Sequence, residues 1–186
     1  MNSSIPETAN ISFSAIFLFS GAGGMDIGVK QAGFDIKACI EIDKHCCRTL
    51  RENIQREKRD TLVYEGDIRF LAPEQILSDI HKGRGEVDLL FGGPPCQAFS
   101  QIGKQESLAD ERGVLLFQMV RYAKVIQPRA IMIEQVKGLL TAKDLDGRRG
   151  GVFESFIKEL ESLDYVPKWK IILAANYGVP QLRERV

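Results

Sequence analysis

Ser14-Ala15-Ile16-Phe17-Leu18-Phe19-Ser20 runs directly into Gly21-Ala22-Gly23-Gly24, and this junction decides the fold. The first part is an apolar run of strand length. The glycines stop it, and Met25 to Gln31 then reads as a helix. Strand, glycine turn and helix in that order is how α/β proteins hold a nucleotide-like ligand. The glycines let the backbone approach, and the helix N–H groups face the ligand. The spacing is neither the dinucleotide fingerprint GxGxxG nor a P-loop with its lysine.

Working outward, Ile36 to Ile42 reads as a second strand ending in Glu41-Ile42-Asp43. Glu41 lies 17 residues past Gly24, near the roughly 20-residue offset at which an acid takes ribose hydroxyls. The alternative is that Glu41 and Asp43 only cap the helix predicted over Lys44 to Gln55. Leu62 to Tyr64 is a short third strand, and Gly66-Asp67-Ile68 follows it. A carboxylate there accepts from a purine amino group or simply stabilises a turn. Phe19 with the glycines, Glu41 and Asp67 thus fall along one crevice and describe an adenosine site. No cluster of phosphate-binding cations accompanies them, which favours a cofactor without phosphates over NAD or ATP.

Val87 to Phe91 is a fourth buried strand, broken by Gly92-Gly93-Pro94-Pro95 immediately before Cys96. The prolines have fixed φ and no N–H, so they stiffen the loop that carries the thiol. Packing a core does not require such a frame, which favours a reactive cysteine over a structural one. A long polar loop, Gln101 to Gly113, precedes a helix predicted over Val114 to Ile126. Ala130 to Ile133 is a fifth strand ending in Glu134-Gln135-Val136. Glu134 is a satisfied buried acid or an acid/base group beside the thiol. An amphipathic helix over Gly151 to Leu163 and a sixth strand over Trp169 to Ala174 follow. Arg183 and Arg185 alternate on one face if extended, either as exposed charges or as ligands of a phosphate or base carbonyl.

With 186 residues, 44% of them hydrophobic, the chain builds one domain over 14–186 behind a polar arm at 1–13. Basic and acidic residues are 25 each, so bulk charge gives no sign of nucleic-acid binding, although a local basic face remains open. The cysteines Cys39, Cys46, Cys47 and Cys96 form no CxxC pair, which argues against a zinc site, and no metal is expected. Free cysteines without a signal peptide point to a reducing cytosol, and no apolar run approaches membrane length.

Taken in order, Phe-Ser-Gly-Ala-Gly-Gly at 19–24, Gly-Asp-Ile at 66–68, Pro-Pro-Cys-Gln at 94–97, Glu-Gln-Val at 134–136 and Gln-Leu-Arg-Glu-Arg at 181–185 resemble the DNA (cytosine-5) methyltransferases. The resemblance runs from about Ile16 to Val186. It implies a Rossmann-like α/β sheet for S-adenosylmethionine with helices on both faces. Phe19 and Ile42 would flank the adenine, Glu41 would hold the ribose, and Asp67 with Ile68 the adenine edge. Gly21, Gly23, Gly24 and Pro95 would line the rest of the cofactor site, with S-adenosylhomocysteine as product. Cys96 would be the nucleophile and Glu134 a pyrimidine contact, and Arg183 and Arg185 would position a flipped base. Gln97 and Ser100 would touch the substrate, double-stranded DNA, in a bacterial cytosol or nucleoid and a restriction-modification setting. Ala98-Phe99-Ser100 favours DNA over tRNA.

The chain departs from the family pattern at Gln135, where Asn is common. In relatives, sequence beyond the final arginine motif adds a seventh strand, a target-recognition domain and a last helix. The expectation is therefore a C-terminally incomplete sheet with an exposed fifth strand. This would be a fragment, inactive alone, or a non-catalytic cofactor-binding half of a split enzyme completed by a second polypeptide.

Overall fold

The apolar run of the first strand is buried from Ala15 to Leu18, and its alternation sends side chains to two different cores. Ile16 and Leu18 face one side, and Ala15 and Phe17 the other. A strand buried on both faces needs helices above and below, as in a parallel α/β sheet. The computed structural model, which describes residues 12–95, 113–144 and 146–186, has that architecture.

Five strands, β1 (Phe13–Leu18), β2 (Phe34–Glu41), β3 (Leu62–Glu65), β4 (Leu89–Gly92) and β5 (Ala130–Ile133), pair in the order β3-β2-β1-β4-β5. Every pairing is parallel. Helices α1 (Gly24–Gln31) and α2 (Lys44–Arg56) cover one face through Val29, Leu50 and Ile54. Helices α3 (Pro73–Asp79) and α4 (Gly113–Ile126) cover the other through Ile76, Met119 and Tyr122. Phe17 and Phe91 stack across β1 and β4 with centroids 4.2 Å apart. Helix α5 (Gly151–Glu161) packs on α4 and on a 3-10 turn at Lys137–Thr141. Asp43 caps α2, its carboxylate accepting from the N–H groups of His45 and Cys46. Strand order reverses between β1 and β4, so the crevice beyond their carboxyl ends is the place for a ligand.

The expected sixth strand needs correction. Of Trp169 to Ala174, only Ile172–Leu173 (β6) is strand, and it pairs antiparallel with Glu184–Arg185 (β7) outside the main sheet. The chain then turns at Ala174–Tyr177. Its return reaches the sheet only at Val186, which exchanges two backbone hydrogen bonds with Gln135, at 2.7 and 2.8 Å. Among the described residues β5 therefore pairs in the sheet with β4 alone, and Ala130 and Met132 on it are exposed.

Candidate functional site

A cavity of about 390 Å³ opens at the carboxyl ends of β1 to β4. Phe19 brings its ring there from a backbone at φ 57, a left-handed conformation that costs a non-glycine residue roughly 1–2 kcal/mol. The next residue holds that conformation in place. The Ser20 N–H donates to the Ile40 carbonyl at 3.0 Å, and its hydroxyl to the Phe17 carbonyl at 3.0 Å. Gly21, at φ 53, continues the left-handed turn without steric cost, and its N–H donates to Glu41 at 2.7 Å. The other carboxylate oxygen of Glu41 accepts from the N–H groups of Ile42 and Asp43, both at 2.8 Å. Glu41 thus clamps the glycine turn to the end of β2. Its Oε2 accepts one of these bonds and Oε1 two, which leaves one oxygen with an acceptor site for a ligand hydroxyl.

Asp67 lies at the cavity's far end and is held by Arg69 through its backbone N–H and guanidinium, at 2.6 to 3.1 Å. That guanidinium holds the Asp67 carboxyl below the usual carboxylate range. Ile68 is buried beside it, whereas Ile42 is mostly exposed at the rim. Leu115 from α4, Gly93 and Pro95 complete the wall. Gly23 and Gly24 do not line it. Gly23 is the N-cap of α1 and packs toward Leu50, and Gly24 starts the helix.

The second half of the site lies next to Gly93. Glu134 follows β5, and its N–H donates to the Gly92 carbonyl at 3.0 Å. Arg185 Nε lies 2.7 Å from Glu134 Oε1 and Arg183 3.6 Å from the same oxygen. Arg185 Nε is buried without an aligned acceptor, so this contact is an ion pair held by proximity rather than a directed hydrogen bond. A Cβ added to Gly93 would sit 3.1 Å from Glu134 Oε2. Gly93, which lines the cavity, therefore also lies beside the carboxylate. Cys96, Gln97 and Ser100 lie outside the described residues. The other cysteines are poor nucleophiles, because a thiol must ionise to attack. Burial pushes Cys39 up to about 12, and burial also raises Cys46 and Cys47.

A profile of the C-5 cytosine-specific DNA methylases matches residues 13–186. This chain belongs to that family. It is 38% identical over 179 residues to the type II methyltransferase M.AquIA of Picosynechococcus sp., covering 92% of this chain and 68% of the relative. It is 42% identical over 174 residues to M.NgoMIV of Neisseria gonorrhoeae, covering 94% of this chain but 50% of that protein. The chain thus spans about half to two thirds of these relatives. Among solved structures, a prophage-encoded protein of E. coli described as a DNA modification methyltransferase superposes with a TM-score of 0.71 at 29% identity. The match covers 94% of this chain and 45% of that one.

In this C-5 cytosine methylase chain the structure brings Glu134, Arg183 and Arg185 together from segments far apart in sequence. It also gathers Phe19, Gly21, Glu41, Ile42, Asp67, Ile68 and Pro95 around one cavity. Sequence reasoning missed Arg69, although an arginine two residues after a turn aspartate is a recognisable ion-pair spacing. It also missed Leu115, which no spacing in the chain announces.

Proposed function

We propose that this chain carries the cofactor site and catalytic groups for methyl transfer from S-adenosylmethionine to carbon 5 of cytosine in double-stranded DNA. The observation that carries the reading is the closeness of the cavity to Glu134 across Gly93. The cavity residues fit the cofactor. Phe19 and Ile42 offer apolar surface to an adenine, and Glu41 and Asp67 offer acceptors to hydroxyl and amino groups. Among the described residues lining the cavity the one cation, Arg69, is bound to Asp67, which favours a cofactor without phosphates. The relatives' designation as type II methyltransferases supports a restriction-modification role.

S-adenosylmethionine supplies an electrophilic methyl group on a positively charged sulfur when bound. Carbon 5 of cytosine is a weak nucleophile. The Cys96 thiolate adds to carbon 6, forming a C–S bond and pushing the ring electrons toward carbon 5. Glu134 holds the ring edge at nitrogen 3 and the exocyclic amine, and Arg185 and Arg183 hold Glu134 and the base beside it. Once carbon 5 carried the methyl group, it would lose its proton to solvent, and the electrons of that C–H bond would expel the Cys96 sulfur and restore the ring. A stacked base cannot reach this geometry, so the target leaves the duplex.

Incubation of the chain, supplied in this and every adduct experiment with the target-recognition part of a relative, with cofactor and DNA carrying 5-fluorocytosine tests the reading, because fluorine at carbon 5 cannot depart as a proton does. The expected result is a covalent protein–DNA adduct, absent in Cys96→Ala while cofactor binding persists. An adduct that survives the substitution, or none from the unaltered chain supplied with the target-recognition part, contradicts it.

A further inference from the structure

Gln135 is buried, with 2% of its surface exposed, and each of its polar groups has a partner. Its side-chain Nε2 donates to the Pro94 carbonyl at 2.6 Å, and its Oε1 accepts from the Val136 N–H at 3.2 Å. Its backbone N–H donates to the Val186 carbonyl, and its carbonyl accepts from the Val186 N–H. One residue therefore touches three segments. Glu134 precedes it, Pro94 leads through Pro95 toward Cys96, and Val186 follows Arg185.

The bond to Pro94 matters because of what prolines lack. Neither Pro94 nor Pro95 has an N–H, so a neighbour can tether this stretch of backbone only through its carbonyls. Gln135 takes one of them. Buried amides that are fully satisfied hold a single geometry, since any departure strands a polar group away from water. An asparagine arm is one methylene shorter and would fall short of a carbonyl now 2.6 Å away unless the backbone shifted.

We propose that Gln135 is a positioning residue that fixes the Pro94–Pro95 segment and the Arg185–Val186 segment to one point at the end of β5. Glu134, its arginine partners and the wall of the cavity at Pro95 then keep their relative placement as a unit. With 2% of its surface exposed and both polar side-chain atoms engaged, Gln135 acts through these segments. The inference rests on the methyl-transfer reading for its catalytic meaning, but the coupling can be measured without catalysis.

Gln135→Met keeps the side chain's volume and removes both polar atoms, and Gln135→Asn keeps the amide on a shorter arm. Hydrogen exchange resolved by peptide reads the coupling. Amides at 185–186 and at 92–93, the latter leading into Pro94, are expected to exchange about tenfold faster in Gln135→Met, with α2 and α4 unchanged. On 5-fluorocytosine DNA, adduct formation is expected to slow about tenfold, with affinity for S-adenosylhomocysteine held within about threefold. Gln135→Asn is expected to fall between Gln135→Met and the unaltered chain on both measures. Unchanged exchange at either segment overturns the proposal. Equal acceleration across α2 and α4 also overturns it, because the residue would then serve general stability. If the unaltered chain supplied with the target-recognition part forms no adduct, the methyl-transfer reading fails, and the exchange result alone decides the coupling.

Discussion

Asp88 and Glu134 sit at opposite ends of the β4–β5 pair, and both carboxylates meet arginine. Asp88, at the amino end, accepts from the Ser14 N–H at 2.8 Å, the Ser14 hydroxyl at 3.1 Å and Arg129 at 3.0 Å. Its side chain is 20% exposed, and both oxygens are engaged. Glu134, at the carboxyl end, is 36% exposed; both of its arginines sit at Oε1, and its Oε2 lies beside Gly93. The same chemistry ties strands together at one end of the sheet. At the other it leaves an acceptor oxygen beside Gly93, which lines the cavity. Acceptor capacity left uncommitted next to a ligand-sized space marks the working end.

The largest effect is expected from Glu134→Gln. It should lower the rate of adduct formation on 5-fluorocytosine DNA by about 10²–10³. Stability should change by less than about 1 kcal/mol, because the lost ion pair is solvent-screened. A denaturation midpoint that falls as far as that of Asp88→Asn would erase the contrast between the two ends. Next comes Gly92→Ala. Its Cβ would lie 2.4 Å from the Leu18 carbonyl oxygen, a backbone atom of β1 that cannot swing aside. A loss of about 3 kcal/mol in chemical denaturation is expected. The same change at Gly93 meets the Glu134 side chain instead, and should slow adduct formation while sparing most of the stability.

Asp88→Asn is expected to cost about 1–3 kcal/mol without altering cofactor affinity. Its effect depends on pH in a defined direction. The Ser14 N–H, together with Arg129, holds the Asp88 carboxyl below its usual range. A carboxyl depressed in the folded state stabilises above its unfolded value of about 3.9, and that stability is lost as pH falls through the folded value. The gap between the wild type and Asp88→Asn should therefore be widest above about pH 5 and close below about pH 4. A gap that widens on acidification would mean that Asp88 is not held by donors at all.

Much of the fold was legible because the strands of a parallel sheet are continuous apolar runs. β1, β2, β4 and β5 fall within a few residues of where those runs place them, and α2 begins where Asp43 caps it. The sixth strand was misplaced because an apolar run does not specify its partner. Ile172–Leu173 pairs with Glu184–Arg185, a match set by the turn between them. Helix α3 was missed although Pro73 stands at its start, a position proline favours. Within the site, the strand-end acids and the arginines could be read from their order along the chain. The 3.1 Å spacing between a Gly93 Cβ and Glu134 could not, because it arises only when β4 and β5 pair.

Calorimetric titration of the folded chain with S-adenosylhomocysteine tests the central claim most directly. One site per chain is predicted, with affinity at least about tenfold weaker in Glu41→Gln, whose amide replaces a carboxylate oxygen as the hydroxyl acceptor. Folded protein that gives neither heat nor thermal stabilisation, or a Glu41→Gln variant that binds as tightly as the original, would contradict a cofactor site at the carboxyl ends of β1 to β4.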